Sequence, residues 1–145
     1  MHENRIYLFV HAIFSVKDGQ PLLKPSLRAV YFAWIKKHAS EKAIRILNIG
    51  GGSDHVHLLL QLHPAQNLLQ VVKQVKEESV KFISESKFLQ DDFSWDVDYT
   101  AFSVSPGAFA QTMEYISKQD DYHQHKTFLQ EMELINKTRI NTDES

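Results

Sequence analysis

The amino-acid sequence predicts an α+β domain, a ferredoxin-like antiparallel sheet of order β-α-β-β-α-β with additional helices after the last strand. Three observations carry this. Four short runs rich in β-branched and aromatic residues are interleaved with two helical stretches in that order. Within both helical stretches, apolar residues recur at three- and four-residue spacing. With 145 residues, 43% hydrophobic and 23% charged, the chain has the length and composition of one globular domain with a buried core.

The first run, Arg5 to Val16, reads as a strand. Alternation places Tyr7, Phe9, His11 and Ile13 on one face and Leu8, Val10, Ala12 and Phe14 on the other. Apolar residues on both faces predict a central strand, suited to a covered sheet or to a subunit interface. His11 is expected to be a hydrogen-bonded histidine inside the sheet, or to lie near the histidine pair described below if the strands are neighbours. Asp18-Gly19-Gln20-Pro21 is a turn signal. From Ser26, a plausible N-cap after Pro25, the residues Leu27, Val30, Tyr31, Trp34 and Ile35 form a helical stripe, with Lys36 and Lys37 off it.

A second strand is expected over Ala43–Ile49, and Gly50-Gly51-Gly52 reads as the hairpin turn into a third strand carrying His55 and His57. The next helix runs from Asn67 to about Ser86. It turns Leu68, Leu69, Val72, Val75, Val80 and Ile83 inward, and Lys73, Lys76, Lys81 and Lys87 largely outward. Residues 91–98 form a polar loop holding Trp95, and Tyr99–Val104 forms the fourth strand. Ser105-Pro106-Gly107 then opens a helix over 106–122, with Ser105 as its cap and Pro106 at its first position. A last helix covers about 126–137. The domain is thus placed at residues 1–139, with 140–145 as a disordered tail.

Composition excludes several classes. The chain has no Cys, so disulfides and thiolate metal sites are impossible, and it suits a reducing cytoplasm. The start lacks a signal-peptide pattern, and no apolar run approaches the ~20 residues that span a bilayer. A cytoplasmic protein with no membrane partner is expected. Net charge is −2. Its distribution is uneven: residues 17–45 hold seven Lys/Arg against two Asp/Glu, whereas residues 91–145 hold four against eleven. A basic first half can face phosphate, and equally can be a solvated helix surface. Lys73, Lys76, Lys36 and Lys37 are the candidates for nucleic-acid contact.

Chemistry concentrates in two places. On a strand, His55 and His57 project from one face, and two imidazoles fixed by a rigid backbone make half of a divalent-metal site. A second His-x-His, His123-Gln124-His125, falls in a helical stretch where residues two apart diverge, so it makes a poor chelate. Tyr115 and Gln119, four apart, share one helix face. Tyrosine can attack phosphorus, and an amide oxygen can bind a hard cation. If that helix lay against the histidine strand, the four groups would make a phosphodiester-cleaving site; spacing alone cannot bring them together.

Two stretches carry a family resemblance. They are Ser53-Asp54-His55-Val56-His57-Leu58-Leu59 and the span from Trp95 to Glu131, which includes Tyr115-Ile116-Ser117-Lys118-Gln119, Tyr122-His123 and Lys126-Thr127-Phe128-Leu129-Gln130-Glu131. In order and spacing the chain resembles the single-tyrosine HUH transposases of small bacterial insertion sequences and their REP-associated tyrosine relatives. The His-x-His is unspecific by itself; joined to Ala101-Phe102-Ser103-Val104-Ser105 and to Tyr-x-x-x-Gln it is highly specific. The resemblance implies Tyr115 as nucleophile and His55, His57 and Gln119 as ligands of Mg²⁺ or Mn²⁺. It implies cleavage and rejoining of single-stranded, hairpin-forming element ends through a 5′-phosphotyrosine, acting at the bacterial nucleoid. It also implies a homodimer in which the tyrosine helix of one subunit completes the site of the other. Two other readings stand beside it: a non-catalytic DNA-hairpin-binding relative, and an unrelated metal-binding ferredoxin-like domain. The chain departs from the family at Ser15-Val16-Lys17-Asp18-Gly19, at Glu77 or Glu78, and at Asp98-Tyr99-Thr100, none of which removes a catalytic group.

Overall fold

In the computed structural model, which describes residues 4–89, 92–123 and 126–140, four strands form one antiparallel sheet. The strands are β1 (Leu8–Ser15), β2 (Arg45–Gly51), β3 (His55–Leu62) and β4 (Thr100–Val104), in the spatial order β2-β3-β1-β4. Helix α1 (Pro25–Glu41) connects β1 to β2, and α2 (Leu68–Glu85) connects β3 to β4. After β4 come a 3-10 turn at Pro106–Ala108 and the helices α3 (Phe109–Ser117), α4 (Gln119–His123) and α5 (Phe128–Ile140). The predicted α+β class and order hold. The expected tail 140–145 falls, beyond Ile140, outside the described residues.

Strand alternation divides the protein into two layers. Ala12, Phe14 and Val16 of the first strand region and Val56, Leu58 and Leu60 of β3 face α1 and α2, where Leu27, Tyr31, Ile35, Val72, Val75 and Ile83 complete the main core. The opposite face carries His11 and Leu59 toward α3, where Ile116 and Val104 close a smaller cluster. The doubly apolar β1 is thus an inner strand of the sheet, with helices packed on both of its faces. Trp95 pins the loop before β4: its ring meets Phe14 edge-on at 4.7 Å, and its indole N–H donates to the Lys76 carbonyl at 3.2 Å. Trp34 belongs to the packing too, stacked between His38 and Phe82 with centroids 4.4 Å away on each side.

Three local readings are corrected. Gly50 and Gly51 belong to β2, paired with His57 and Val56, and the hairpin turns at residues 52–54. The glycine run reflects close packing as well as turning. A Cβ on Gly50 would lie 2.2 Å from the Ile116 carbonyl oxygen, so only glycine lets α3 approach the sheet here. The helix expected over 106–122 is segmented, with a break at Lys118 between α3 and α4. Ser105 has extended backbone angles suited to a cap, but its side chain makes no capping hydrogen bond.

The glycine contact yields a test. Gly50→Ala must push α3, and Tyr115 with it, off the histidine strand. Unfolding measurements are expected to show a loss of about 1–3 kcal/mol, typical of an overpacked core. A stability equal to wild type would show that α3 does not depend on this contact.

Candidate active site

The site lies on the α3 side of the sheet, under the C-terminal helices. β3 presents His55 and His57, both fully buried, with ring centroids 5.0 Å apart. Gly50 lets α3 close on β2, so Tyr115 arrives beside His57, centroid to centroid 5.6 Å. One turn on, Gln119 is buried with its Oε1 3.1 Å from His55 Nε2. The four residues singled out from the sequence therefore meet, and they meet within one chain. The packing of α3 on β2 carries Tyr115 and Gln119 to the histidines of the same chain.

Two further residues close the site. His123, at the end of α4, brings Nε2 to 3.1 Å from His55 Nε2 and 3.0 Å from Gln119 Oε1. Glu131, on α5 and fully buried, places Oε1 3.2 Å from His57 Nε2, 3.4 Å from His55 Nε2 and 3.2 Å from His123 Nε2. Its other oxygen accepts from the Tyr115 hydroxyl and, at 2.9 Å, from the Gln119 amide nitrogen. Neither residue was given a role from the sequence. His123 stands four residues after Gln119, a spacing that puts both on one helix face and that the discounted His-x-His pairing obscured. The partner in that pairing, His125, lies outside the described residues. Glu131 has no comparable local signal, since only the fold of α5 over β3 brings it in.

The rings are held from behind. His55 Nδ1 donates to the Asp54 carboxylate at 2.8 Å, and Phe128 stacks on the same ring with centroids 4.1 Å apart. His123 Nδ1 donates to the Lys126 carbonyl at 2.8 Å. The Nδ1 of His57 meets His11 Nε2 at 2.8 Å, so His11 is both the hydrogen-bonded sheet histidine and a neighbour of the pair. Acceptors at Nδ1 of His55 and His123 place the proton there and turn the bare Nε2 lone pair inward, the usual orientation of a metal-ligating imidazole.

Electrostatics follow from this crowding. Burial pulls the His57 imidazole pKa down, only partly offset by Glu131, so this ring is neutral at neutral pH. Burial would raise the Glu131 carboxyl, but the imidazoles of His123 and His57 beside it and the Tyr115 hydroxyl hold it well below the usual carboxylate range. Burial and then the Glu131 carboxylate push the Tyr115 hydroxyl far up, so no phenolate is preformed. His123 loses basicity by burial yet gains more from Glu131 and the Lys126 carbonyl, and its pKa rises.

The donor set fits a divalent ion. Ligand atoms bonded to such an ion at about 2.1 Å lie about 3.0 Å apart in an octahedron and about 3.4 Å apart in a tetrahedron. The contacts His55–Gln119, His55–His123 and His123–Gln119, and those of Glu131 with each of the three imidazoles, fall between 3.0 and 3.4 Å, and the ligand atoms of His55, His57 and Glu131 lie within 4.8 Å of one another. The lysines singled out for nucleic-acid contact are not at this site. Lys36 and Lys37 are exposed on α1 and Lys73 on α2, the helices of the opposite layer. Lys76 is partly buried, its Nζ donating to the carbonyls of Asp96 at 2.7 Å and Val97 at 3.3 Å.

Comparison with known proteins bears on the family and the fold. The family model described as "Transposase IS200 like" matches residues 5–119. The ISDra2 transposase TnpA of Deinococcus radiodurans is 26% identical over 129 residues, covering 83% of this chain and 92% of that protein. A candidate transposase from Deinococcus radiodurans R1, solved by crystallography, superposes with a TM-score of 0.65 at 24% identity, over 82% of this chain and 98% of the other. A REP-associated tyrosine transposase bound to a REP hairpin superposes with a TM-score of 0.61 at 13% identity, over 85% of this chain and 74% of the other. These two likenesses concern the fold; the family match spans most of the sequence, and on it the chain belongs to the IS200-like transposases.

Proposed function

We propose that the chain cleaves and rejoins single-stranded DNA at the ends of a mobile element through a covalent 5′-phosphotyrosine at Tyr115, assisted by a divalent ion. The observation that carries this reading is the meeting of the Tyr115 hydroxyl with a buried cluster of imidazole, amide and carboxylate donors. His55, His57 and Gln119 would hold the ion; when bound, it supplies the positive charge that stabilises charge developing on the scissile phosphate. Glu131 accepts the tyrosine O–H and thereby fixes the rotation of the hydroxyl, which keeps a lone pair free to face phosphorus. Attack by Tyr115 Oη forms the P–O(Tyr) bond and breaks the P–O3′ bond, while the phenol proton passes to the Glu131 carboxylate that accepts it and from there to solvent. The departing 3′ oxygen takes a proton from solvent. Because one phosphoester replaces another, a second 3′ hydroxyl can reverse the step without an outside energy source. Hairpin-forming ends are the proposed substrate, in line with the hairpin-bound relative.

The test incubates the protein with single-stranded DNA from the flanks of its own gene, with Mg²⁺ or Mn²⁺, and resolves products under denaturing conditions. A covalent protein–DNA band and a free 3′ hydroxyl are expected. Hairpin binding with no covalent product under either ion would leave the non-catalytic relative as the better reading.

Because both halves of the site come from one chain, complementation is expected to fail. Mixing His57→Ala with Tyr115→Phe, after exchange of any subunits, leaves a defect in every site. Cleavage restored to more than a few per cent of wild type would require the tyrosine helix to cross between chains.

A further inference from the structure

The family match ends at Gln119, yet the chain beyond it returns to the site twice, at His123 and at Glu131. We infer that His123 Nε2 and Glu131 Oε1 are additional metal ligands, making a nitrogen-rich five-donor site that selects a first-row transition dication over Mg²⁺, with Glu131 tethering Tyr115 to that ion. The inference rests on the function proposed above and deepens it.

Four observations support it. First, His123 Nε2 approaches His55 Nε2 and Gln119 Oε1 at 3.1 and 3.0 Å. Both imidazoles spend their Nδ1 protons on Asp54 and the Lys126 carbonyl, and the Gln119 amide is oriented by its N–H bond to Glu131. Lone pairs therefore point at one another, an arrangement that a shared cation resolves. Second, Glu131 is fully buried, and its recorded ion-pair partners among the described residues are the imidazoles of His55, His57 and His123. A buried carboxylate beside imidazoles needs compensating charge.

Third, the two oxygens of Glu131 are divided between tasks. Oε1 joins the ring of donors, whereas Oε2 receives the Tyr115 hydroxyl. One carboxylate thus fixes the distance from nucleophile to ion, which two histidines on β3 and an amide on α4 cannot do alone. Fourth, the donor set is three imidazole nitrogens, one amide oxygen and one carboxylate oxygen. Imidazole-rich sites favour transition metals, whereas Mg²⁺ prefers oxygen and retains water.

The test uses the full chain and Mn²⁺ as the probe. Free Mn²⁺ is followed by electron paramagnetic resonance during titration, with Mg²⁺ as competitor, and electron spin echo spectra count the imidazole nitrogens on the bound ion. Wild type is expected to bind one Mn²⁺ per chain, at least about tenfold more tightly than Mg²⁺. Three coordinated imidazoles are expected in wild type and two in His123→Ala. Glu131→Gln, which keeps the shape, is expected to weaken Mn²⁺ binding at least about tenfold. Should it fail to fold, judged by circular dichroism, Glu131→Asp with its shortened reach takes its place with the same expectation. Two imidazoles in wild type, or an affinity unchanged in the His123 and Glu131 variants, would overturn the inference and leave the proposed function standing. No Mn²⁺ bound by wild type would overturn both.

Discussion

Tyr115→Phe is expected to abolish the covalent protein–DNA product, lowering the rate of its formation by at least about 10³-fold, while DNA binding and metal affinity stay within a few-fold of wild type. The variant removes one oxygen. It leaves the ring in place against His57 and His11, at centroid distances of 5.6 and 6.1 Å. Glu131 Oε2 loses the phenol but keeps the Gln119 amide as a donor at 2.9 Å, so the carboxylate is not stranded. The cost in stability should be about 1–2 kcal/mol at most, the worth of one hydrogen bond to a charged acceptor. Tyr122 provides the internal control. Its ring meets Tyr115 edge-on with centroids 5.7 Å apart, close enough to share the environment, yet the hydroxyl that reaches Glu131 is that of Tyr115. Tyr122→Phe should still form the adduct. An adduct that survives Tyr115→Phe and disappears in Tyr122→Phe would assign the nucleophile to the wrong residue.

What could be read before folding was whatever is local in period. Strand alternation alone put His55 and His57 on one face, and helical spacing put Tyr115 and Gln119 on another. The same reasoning placed the strands and turned Val72, Val75 and Ile83 of α2 inward, but it also turned in Leu69, which is 58% exposed, and passed over the buried Val71. Gly50 was misread because a glycine needed for close approach looks, in one dimension, like a glycine needed for a turn. The break at Lys118 was hidden by continuous helical spacing from Phe109 to Tyr122. Glu131 could not be assigned a role from spacing, since it stands twelve residues after Gln119 and on another helix. Its function exists only where α5 crosses β3. His123 lies between these cases: the i,i+4 relation to Gln119 was present, but a helix position says nothing of which face meets the sheet.

The second large effect is expected from His57→Ala. This imidazole is fully buried, its ring lies 5.6 Å from that of Tyr115, and its Nε2 is 3.2 Å from the carboxylate that holds the tyrosine hydroxyl. Its pKa is lowered by burial, so at neutral pH the ring carries a lone pair for a cation and not a positive charge. Truncation to Ala removes that ligand and leaves His11 Nε2 without the ring it meets at 2.8 Å. Cleavage should fall by more than about 100-fold, since even loss of an outer hydrogen-bond partner of a metal ligand costs 10–100-fold. His11→Ala, which loosens the orientation of His57 and removes no ligand, should lie in that milder range. Raising Mn²⁺ should recover part of the His11→Ala activity, where the ligand is present but loosely held, and little of the His57→Ala activity. The pairing matters for interpretation, because both residues are buried neighbours and both changes leave a cavity. If His57→Ala and His11→Ala lose equal activity and respond equally to added Mn²⁺, His57 acts through packing and not as a ligand. Undiminished cleavage by His57→Ala at limiting metal would remove the histidine strand from the chemistry altogether.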